Sequence, residues 1–433
     1  MIEESFFPAP ASRLLRRLRL MQIPGAGFGK NRFLNHSRYS SLTQKKQVFA
    51  FFICLLIASV EARAASSFTT LTEFPSPFCY LENLYFIPHS AQFVIVGDHS
   101  ILGKVISIKD QRGYSFSYKK APFRNVTRVS GTTLFLFEMP RTIYCTYHFF
   151  HILEHVVGDW VFHGEQHFQD VTLIVLASAG EKDWKLHDNV LPVHWEGPNE
   201  INQHLLKALY PNARVLTWMQ FIEEFQEGVI CFERAFTSDR GVAESHYESA
   251  SIGRMLGYCR SFLSQEALQN MSDRVHSYAQ TEMVPNSGTL RVTYLKRIPP
   301  RTLAPDVEEK LFAAIQALDH VSLRVEDFTK ISFKEQINII GNTDVLISVH
   351  GNGLSHTLFL PPSAKVIEIF PPSTHTVDYR IYAEARGLDY TCIMSDRGII
   401  PKEVSYSLGM RGNFYGTIYD LDVDLVLKEI ATK

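Results

Sequence analysis

The hydrophobic positions of this chain fall into short continuous runs separated by stretches of helical period. Asp344 to Phe370, DVLISVHGNGLSHTLFLPPSAKVIEIF, shows the pattern most clearly. A β-branched apolar run to Val349 leads into a glycine turn, a short helix, a proline break, and a second apolar run from Lys365 that stops at Pro371-Pro372. Uninterrupted apolar runs joined by a crossover predict parallel strands covered on both faces. The same alternation continues on either side. Leu290 to Lys296, Val321 to Val325 and Tyr390 to Ile393 read as strands, and Pro305 to Leu318, Ser332 to Ile340, Val377 to Arg386 and Leu421 to Thr432 as helices.

Nearer the amino terminus, Phe93 to Val96, Val105 to Ile108, Thr133 to Phe137, Val171 to Ser178, Arg214 to Leu216 and Gly228 to Ala235 read as strands. Tyr147 to Phe162, Asn199 to Leu209 and Ser249 to Ala279 read as helices, and Pro285 to Gly288 breaks the pattern. At 433 residues the chain exceeds what one core usually serves. The expected architecture is therefore α/β, with two doubly wound Rossmann-type units, residues 91–284 and 285–433, facing a cleft. Residues 66–90, with Pro75, Pro77 and Pro88, read as an irregular stem.

Charge sharpens the picture at the amino terminus. Residues 5 to 60 hold nine Lys or Arg and no acid, whereas residues 61–433 carry 34 basic and 43 acidic side chains, a net of −9. That balance argues against a general nucleic-acid binder. Val48 to Val60, VFAFFICLLIASV, follows the basic arm 1–47. It has the length of a signal h-region, and residues 48–65 read as a signal anchor or a cleaved signal peptide, with an organelle transit peptide as the alternative. A lumenal body attached to or released from a membrane is expected, and the sequons at Asn125 and Asn270 fit it. Six widely spaced cysteines show no metal-finger spacing, and the five outside the apolar segment allow one or two disulfides.

The candidate chemistry gathers at strand ends. His350-Gly351-Asn352-Gly353 sits where a strand meets a helix, the edge at which open α/β sheets bind anions. The plain alternative is a turn capped by Asn352. Lys296, Arg297 and Arg301 follow the first strand of the second unit, and Arg can hold phosphate oxygens bidentately. Glu368 lies mid-strand, where a carboxylate needs a partner: a ribose diol or a structural ion pair. His148, His151 and His155 fall on one helical face beside Glu154, with Asp159 following. Helical spacing of His and aromatic residues more often lines a core than holds a metal. Asp420-Leu421-Asp422 precedes the last helix and reads as a cap.

The stretch around His350-Gly351-Asn352-Gly353-Leu354 resembles the HGAGL segment of glycosyltransferase family 61, which includes plant core xylosyltransferases and animal N-acetylglucosaminyltransferases. The resemblance runs from about Leu290 to Ile393, through LRVTYLKR, NTDVLISVHGNGLSHTLFLPP, Glu368 and DYRIYAEARGLDY. A weaker patch near His148 is similar to the family's NxxHxxxD segment, with His151 matching its His. Asn352 stands where the family usually has Ala, and His148 and His155 replace its Asn and Asp. The resemblance implies a GT-B-like fold and an inverting transfer of xylose or N-acetylglucosamine from a UDP donor to a glycan or glycoprotein hydroxyl. It also implies no required cofactor or metal, and residence in the Golgi or endoplasmic reticulum. Arg297, Arg301, His350, Gly351, Asn352, Gly353, Leu354 and Glu368 would bind the nucleotide sugar. Glu154, His155 and His151 are the candidates for the base. A non-catalytic glycan-binding relative of the same fold is the alternative.

Overall fold

A computed structural model of the protein describes residues 67–70, 78–90, 92–101, 115–138, the helical positions 149, 152, 153, 156, 157 and 160, and residues 169–178, 200–239, 264–285, 288–299, 301–401 and 416–433. Residues 61–433 form one compact unit. Among the described residues no helix is long and apolar enough to cross a membrane, and Val48 to Val60 lies outside them. The predicted strand Val105 to Ile108 lies outside them too.

The first sheet holds β1 (Ser67–Thr70), β2 (Phe78–Ile87), β3 (Gln92–Val96), β4 (Ser115–Lys119), β5 (Thr127–Glu138), β6 (Val171–Ser178), β7 (Arg214–Thr217) and β8 (Ile230–Asp239). Its order is β4-β3-β2-β8-β5-β6-β7, with β1 alongside β2. β5 runs parallel to β6 and β8, and β6 to β7, as the alternation predicts. The other half departs from a doubly wound sheet: β2 is antiparallel to β8, β3 and β1. A connection as short as Pro88 to Ala91 between β2 and β3 can only fold back, so the pair must be antiparallel. The stem expected over 66–90 is likewise corrected. Pro77 and Pro88 bracket a ten-residue strand, since proline is tolerated at strand ends and excluded from their middles.

The second sheet holds β9 (Leu290–Leu295), β10 (Val321–Glu326), β11 (Val345–Val349), β12 (Lys365–Phe370), β13 (Asp389–Met394) and β14 (Gly398–Ile399), in the order β10-β9-β11-β12-β13-β14. All its pairings are parallel except the last. Every side chain of β11 and β12 is buried, because alternate residues enter two different cores. Val345, Ile347, Val349, Ile367 and Ile369 face a core closed by Val307, Leu311, Val426 and Ile430. Leu346, Val366 and Phe370 face a larger core that continues to Leu134, Leu136 and Leu176 of the first sheet.

Three helices fill that larger core: α1 (Glu200–Leu209), α3 (Gln265–Ala279) and α5 (Phe333–Gly341), with α2 (Trp218–Glu224) lying on the first sheet. Buried Phe149, Ile152, Leu153, Val156, Val157 and Trp160 join them at helical spacing. Trp160 Nε1 donates to the carbonyl of Ala267 at 2.9 Å. On the outer face lie α4 (Pro305–Gln316) and, after α6 (Asp378–Ala385), the closing helix α7 (Val423–Ala431). Local chemistry sets these ends: Ser332 and Glu335 form a capping box on α5, and Asp422 accepts the Leu425 amide at 3.0 Å, the predicted cap of α7. Cys231 and Cys392 are buried free thiols, leaving fewer partners for the disulfides the cysteine count allows.

Candidate active site at the strand ends of the second sheet

Strand order β10-β9-β11-β12-β13 means that the chain leaves β9 in opposite directions, first to β10 and then back past it to β11. The carboxyl ends of β9 and β11 therefore frame the crevice at which open parallel sheets bind ligands. Lys296 and Arg297 emerge from one, His350 and Gly351 from the other. The loop after β9 is held by Thr302, whose hydroxyl donates to the Arg297 carbonyl at 3.1 Å, and by pairing of Thr302 and Ala304 backbone groups with Ile418.

Arg297 and Gly351 depend on each other. Gly351 has φ 156°, a conformation that side chains rarely adopt, and a Cβ there would lie 2.4 Å from Arg297 Cζ. The guanidinium thus rests on the glycine backbone, a contact that no other residue allows. Arg297 Nε is buried without a hydrogen-bond partner. Among the described residues no carboxylate lies within ion-pair distance of this guanidinium. Burial pulls the Arg297 pKa below its ordinary value, and the neighbouring Arg301 charge pulls it further. A desolvated cation beside a second cation is a site prepared for an anion.

Behind the turn, sheet register builds a polar diagonal. Ser348 pairs with Glu368, and Glu368 with Cys392, so these share a face with His350 and Tyr390, each two residues away. His350 Nδ1 lies 2.5 Å from Glu368 Oε1, and the Tyr390 hydroxyl donates to Glu368 Oε2 at 2.5 Å. Glu368 is 1% exposed. Of the two partners considered for it, the structure shows a buried pair, with both oxygens engaged by His350 and Tyr390. Burial pushes its carboxyl up, while the His350 and Tyr390 donors pull the other way. The His350 ring lies against Phe370 and Tyr379, with centroids 4.8 and 5.3 Å away.

The remaining turn residues divide. A 3-10 helix, Asn352–Phe359, takes the place of the short helix predicted after the turn. Asn352 Oδ1 accepts from the Ser355 hydroxyl at 3.3 Å, and a Cβ on Gly353 would meet Leu295 Cδ1 at 3.3 Å. The Leu354 side chain is fully buried in the larger core. His356, fully buried, bonds to the Gly353 carbonyl and to Gln336 at 2.9 Å each, and burial lowers its pKa to about 4.

His151, Glu154 and His155 lie outside the described residues. Phe149 lies against His356 of the 3-10 helix after the turn, with ring centroids 5.0 Å apart and the planes tilted by 43°. Among the described residues no group of three or more His, Cys, Asp or Glu comes together to hold a metal ion. Sequence reading missed Tyr390 and Tyr379. Tyr390 was within reach of inference, since a mid-strand Glu asks for a donor and the next parallel strand offers DYTC. Tyr379 arrives from α6, which no strand spacing predicts.

Comparison with known proteins adds a family. Residues 166–367 match the family described as Glycosyltransferase 61. The EGF domain-specific O-linked N-acetylglucosamine transferase of Mus musculus is 31% identical over 157 residues, 35% of this chain and 28% of that protein. The protein of the same name from Drosophila melanogaster is 35% identical over 108 residues, 24% of this chain and 20% of its own length. That of Xenopus laevis is 30% identical over 179 residues, 40% of this chain and 31% of its own. The matched stretch thus spans less than a third of these relatives. Among solved structures, a D-isomer specific 2-hydroxyacid dehydrogenase from Xanthobacter autotrophicus Py2 aligns at 11% identity over 70% of this chain and 95% of its own, with a TM-score of 0.19, too low to bear on the fold.

Proposed function

We propose that this chain, whose residues 166–367 match the family described as Glycosyltransferase 61, moves a sugar from a UDP donor to a hydroxyl of a glycan or glycoprotein. The observation that carries this reading is Arg297: a part-buried guanidinium at the sheet's crevice, seated on Gly351, with no carboxylate partner among the described residues. In the reaction the acceptor oxygen attacks the anomeric carbon while its proton passes to a base. The bond from that carbon to the diphosphate breaks with its electron pair on oxygen. Arg297, Arg301 and the backbone amides after His350 take up the growing charge. A single displacement inverts the anomeric centre. In this reading the two sheets serve as the two halves of a GT-B enzyme, residues 285–433 holding the nucleotide sugar and 91–284 the acceptor. The base comes from Glu154, His155 or His151. Residues 48–65 would keep the body in the Golgi or endoplasmic reticulum lumen as a type II membrane protein.

Of the two sugars considered, N-acetylglucosamine is the first to test, on an EGF-domain acceptor, because the relatives' names carry both. Thermal shift of the purified protein against nucleotides and UDP sugars, with and without EDTA, tests the reading. Selective stabilisation by UDP that survives EDTA and disappears in Arg297→Ala is expected. A well-folded protein that no nucleotide stabilises overturns it and favours a glycan-binding role.

A further inference from the structure

The two Asn-X-Ser/Thr sequons fold into opposite settings. Asn125-Val126-Thr127 lies at a bend that runs into the first residue of β5, and Asn125 and Thr127 are both exposed. Val126, between them, packs with Phe123 and Val229 around Tyr85, Val94, Val96 and Cys231. That alternation is the strand period, and it turns the residues on either side of a buried one toward water together. The segment is anchored beside the exposed side chains and not through them. The Phe123 ring lies 5.4 Å from that of Tyr85, Lys119 Nζ sits 3.7 Å from the Phe123 centroid, and the Thr127 amide donates to the Val229 carbonyl at 2.9 Å. A bulky group on Asn125 Nδ2 displaces none of these contacts. Asn270-Met271-Ser272 instead lies inside α3. Asn270 is half-buried, and Met271 and Ser272 are each 1% exposed. Residues two apart on a helix diverge by about 200°, so the Ser272 hydroxyl faces away from the Asn270 amide. Beside Asn270, Gln269 donates to Asp273 at 2.6 Å and accepts from Arg386 Nη1 at 2.5 Å, tying α3 to the end of α6. A glycan there would have to fit into a helix packed on α1 and α5.

We propose that the folded protein carries an N-linked glycan on Asn125 and none on Asn270. The inference rests on the reading of the body as lumenal, because that compartment supplies the co-reactant, an oligosaccharide on a polyprenyl diphosphate. Asn125 Nδ2 attacks the anomeric carbon of that oligosaccharide and gives up one proton. The bond from the carbon to the diphosphate breaks with its electron pair on oxygen, which releases the lipid diphosphate. The Thr127 hydroxyl is the second group that recognition of the acceptor requires. Transfer takes place on the unfolded chain, so the fold acts afterwards, by accepting a large hydrophilic substituent at one asparagine and refusing it at the other.

The test expresses the full chain in a eukaryotic host and follows gel mobility before and after peptide-N-glycosidase treatment, with peptide mapping of the folded protein. One glycan is expected. Asn125→Gln should abolish the mobility shift and Asn270→Gln should leave it whole. Thr127→Ala, which keeps Asn125 but removes the hydroxyl, should abolish it as well, and Thr127→Ser should retain it. Should Asn125→Gln fail to fold, the wild-type peptide map still decides. A second version carries an Asn-Gly-Thr tail after Lys433, which reports whether the body reaches the lumen. A modified tail with a bare Asn125 overturns the proposal and leaves the lumenal reading standing. A glycan on Asn270 of the folded protein overturns it too. A bare tail together with a bare Asn125 overturns the lumenal reading and takes the proposal with it, so the two failures are distinguished.

Discussion

The two ends of the second sheet carry the same kinds of side chain to opposite effect. At the amino ends of its strands Arg291 and Lys365 are both paired with carboxylates. Arg291 grips Asp344 through three bonds of 2.8–2.9 Å, one of them from its backbone amide. Lys365, 2% exposed, reaches Glu429 at 2.8 Å and Asp389 at 3.3 Å and donates to the Thr432 hydroxyl. At the carboxyl ends Arg297 is part-buried with no carboxylate partner among the described residues and has Arg301 as its electrostatic neighbour. What separates the ends is the partner and not the residue type. A closed ion pair fastens a strand start or a helix, whereas an open cation waits for an anion from solution.

The sharpest way to break this contrast is to remove the open cation. Arg297→Ala should abolish UDP stabilisation and cut transfer by about 100-fold or more, while the melting temperature of the unliganded protein stays level or rises, because a desolvated charge is lost. A large fall in unliganded melting temperature would instead make Arg297 structural. Next in size is Gly351→Ala. The new methyl would sit 2.4 Å from Arg297 Cζ at a φ of 156°. The expected outcome is loss of UDP binding together with about 1–3 kcal/mol of stability, read by denaturant unfolding. Lys365→Met probes the closed end. Breaking the pair with Glu429 should cost about 2–4 kcal/mol in unfolding experiments, with UDP affinity unchanged.

How much of this was legible beforehand divides along the same line. The second sheet was readable almost residue by residue, because both faces are buried and its apolar runs are unbroken; Val345–Val349 and Lys365–Phe370 lie where the pattern puts them. The first sheet was half readable. Val171–Ser178 matches, but the strand Phe78–Ile87 hid among prolines that bracket it. At the site, Arg297, His350 and Gly351 could be named from strand-end position alone. The contact of Arg297 with the Gly351 backbone could not, since it depends on where two loops from non-adjacent sequence meet. Glu368 was recognised as needing a partner, yet a ribose and a buried histidine satisfy that need equally on paper. Register alone decides for the histidine, by setting His350 and Tyr390 each two residues from the pairs Glu368 makes.

The smallest expected effect is the most specific in sign. Burial pushes the Asp344 carboxyl up, but the Arg291 hydrogen bonds and charge outweigh this and hold it below its ordinary value. A carboxyl whose pKa is lower in the folded than in the unfolded chain is ionised in both above about pH 4, where its stabilisation is fully present. As pH falls below that value the unfolded chain takes up the proton first, and the stabilisation drains away until the folded group also protonates. Asp344→Asn keeps an acceptor for Arg291 but removes the charge, and should cost about 1–2 kcal/mol at neutral pH. Its unfolding free energy should then fall less steeply than that of the wild type between about pH 4 and pH 2, so that the two curves converge in acid. Parallel curves would mean that Arg291 and Asp344 hold the strand starts by geometry alone, and that the amino end owes its closure to hydrogen bonds rather than to paired charge.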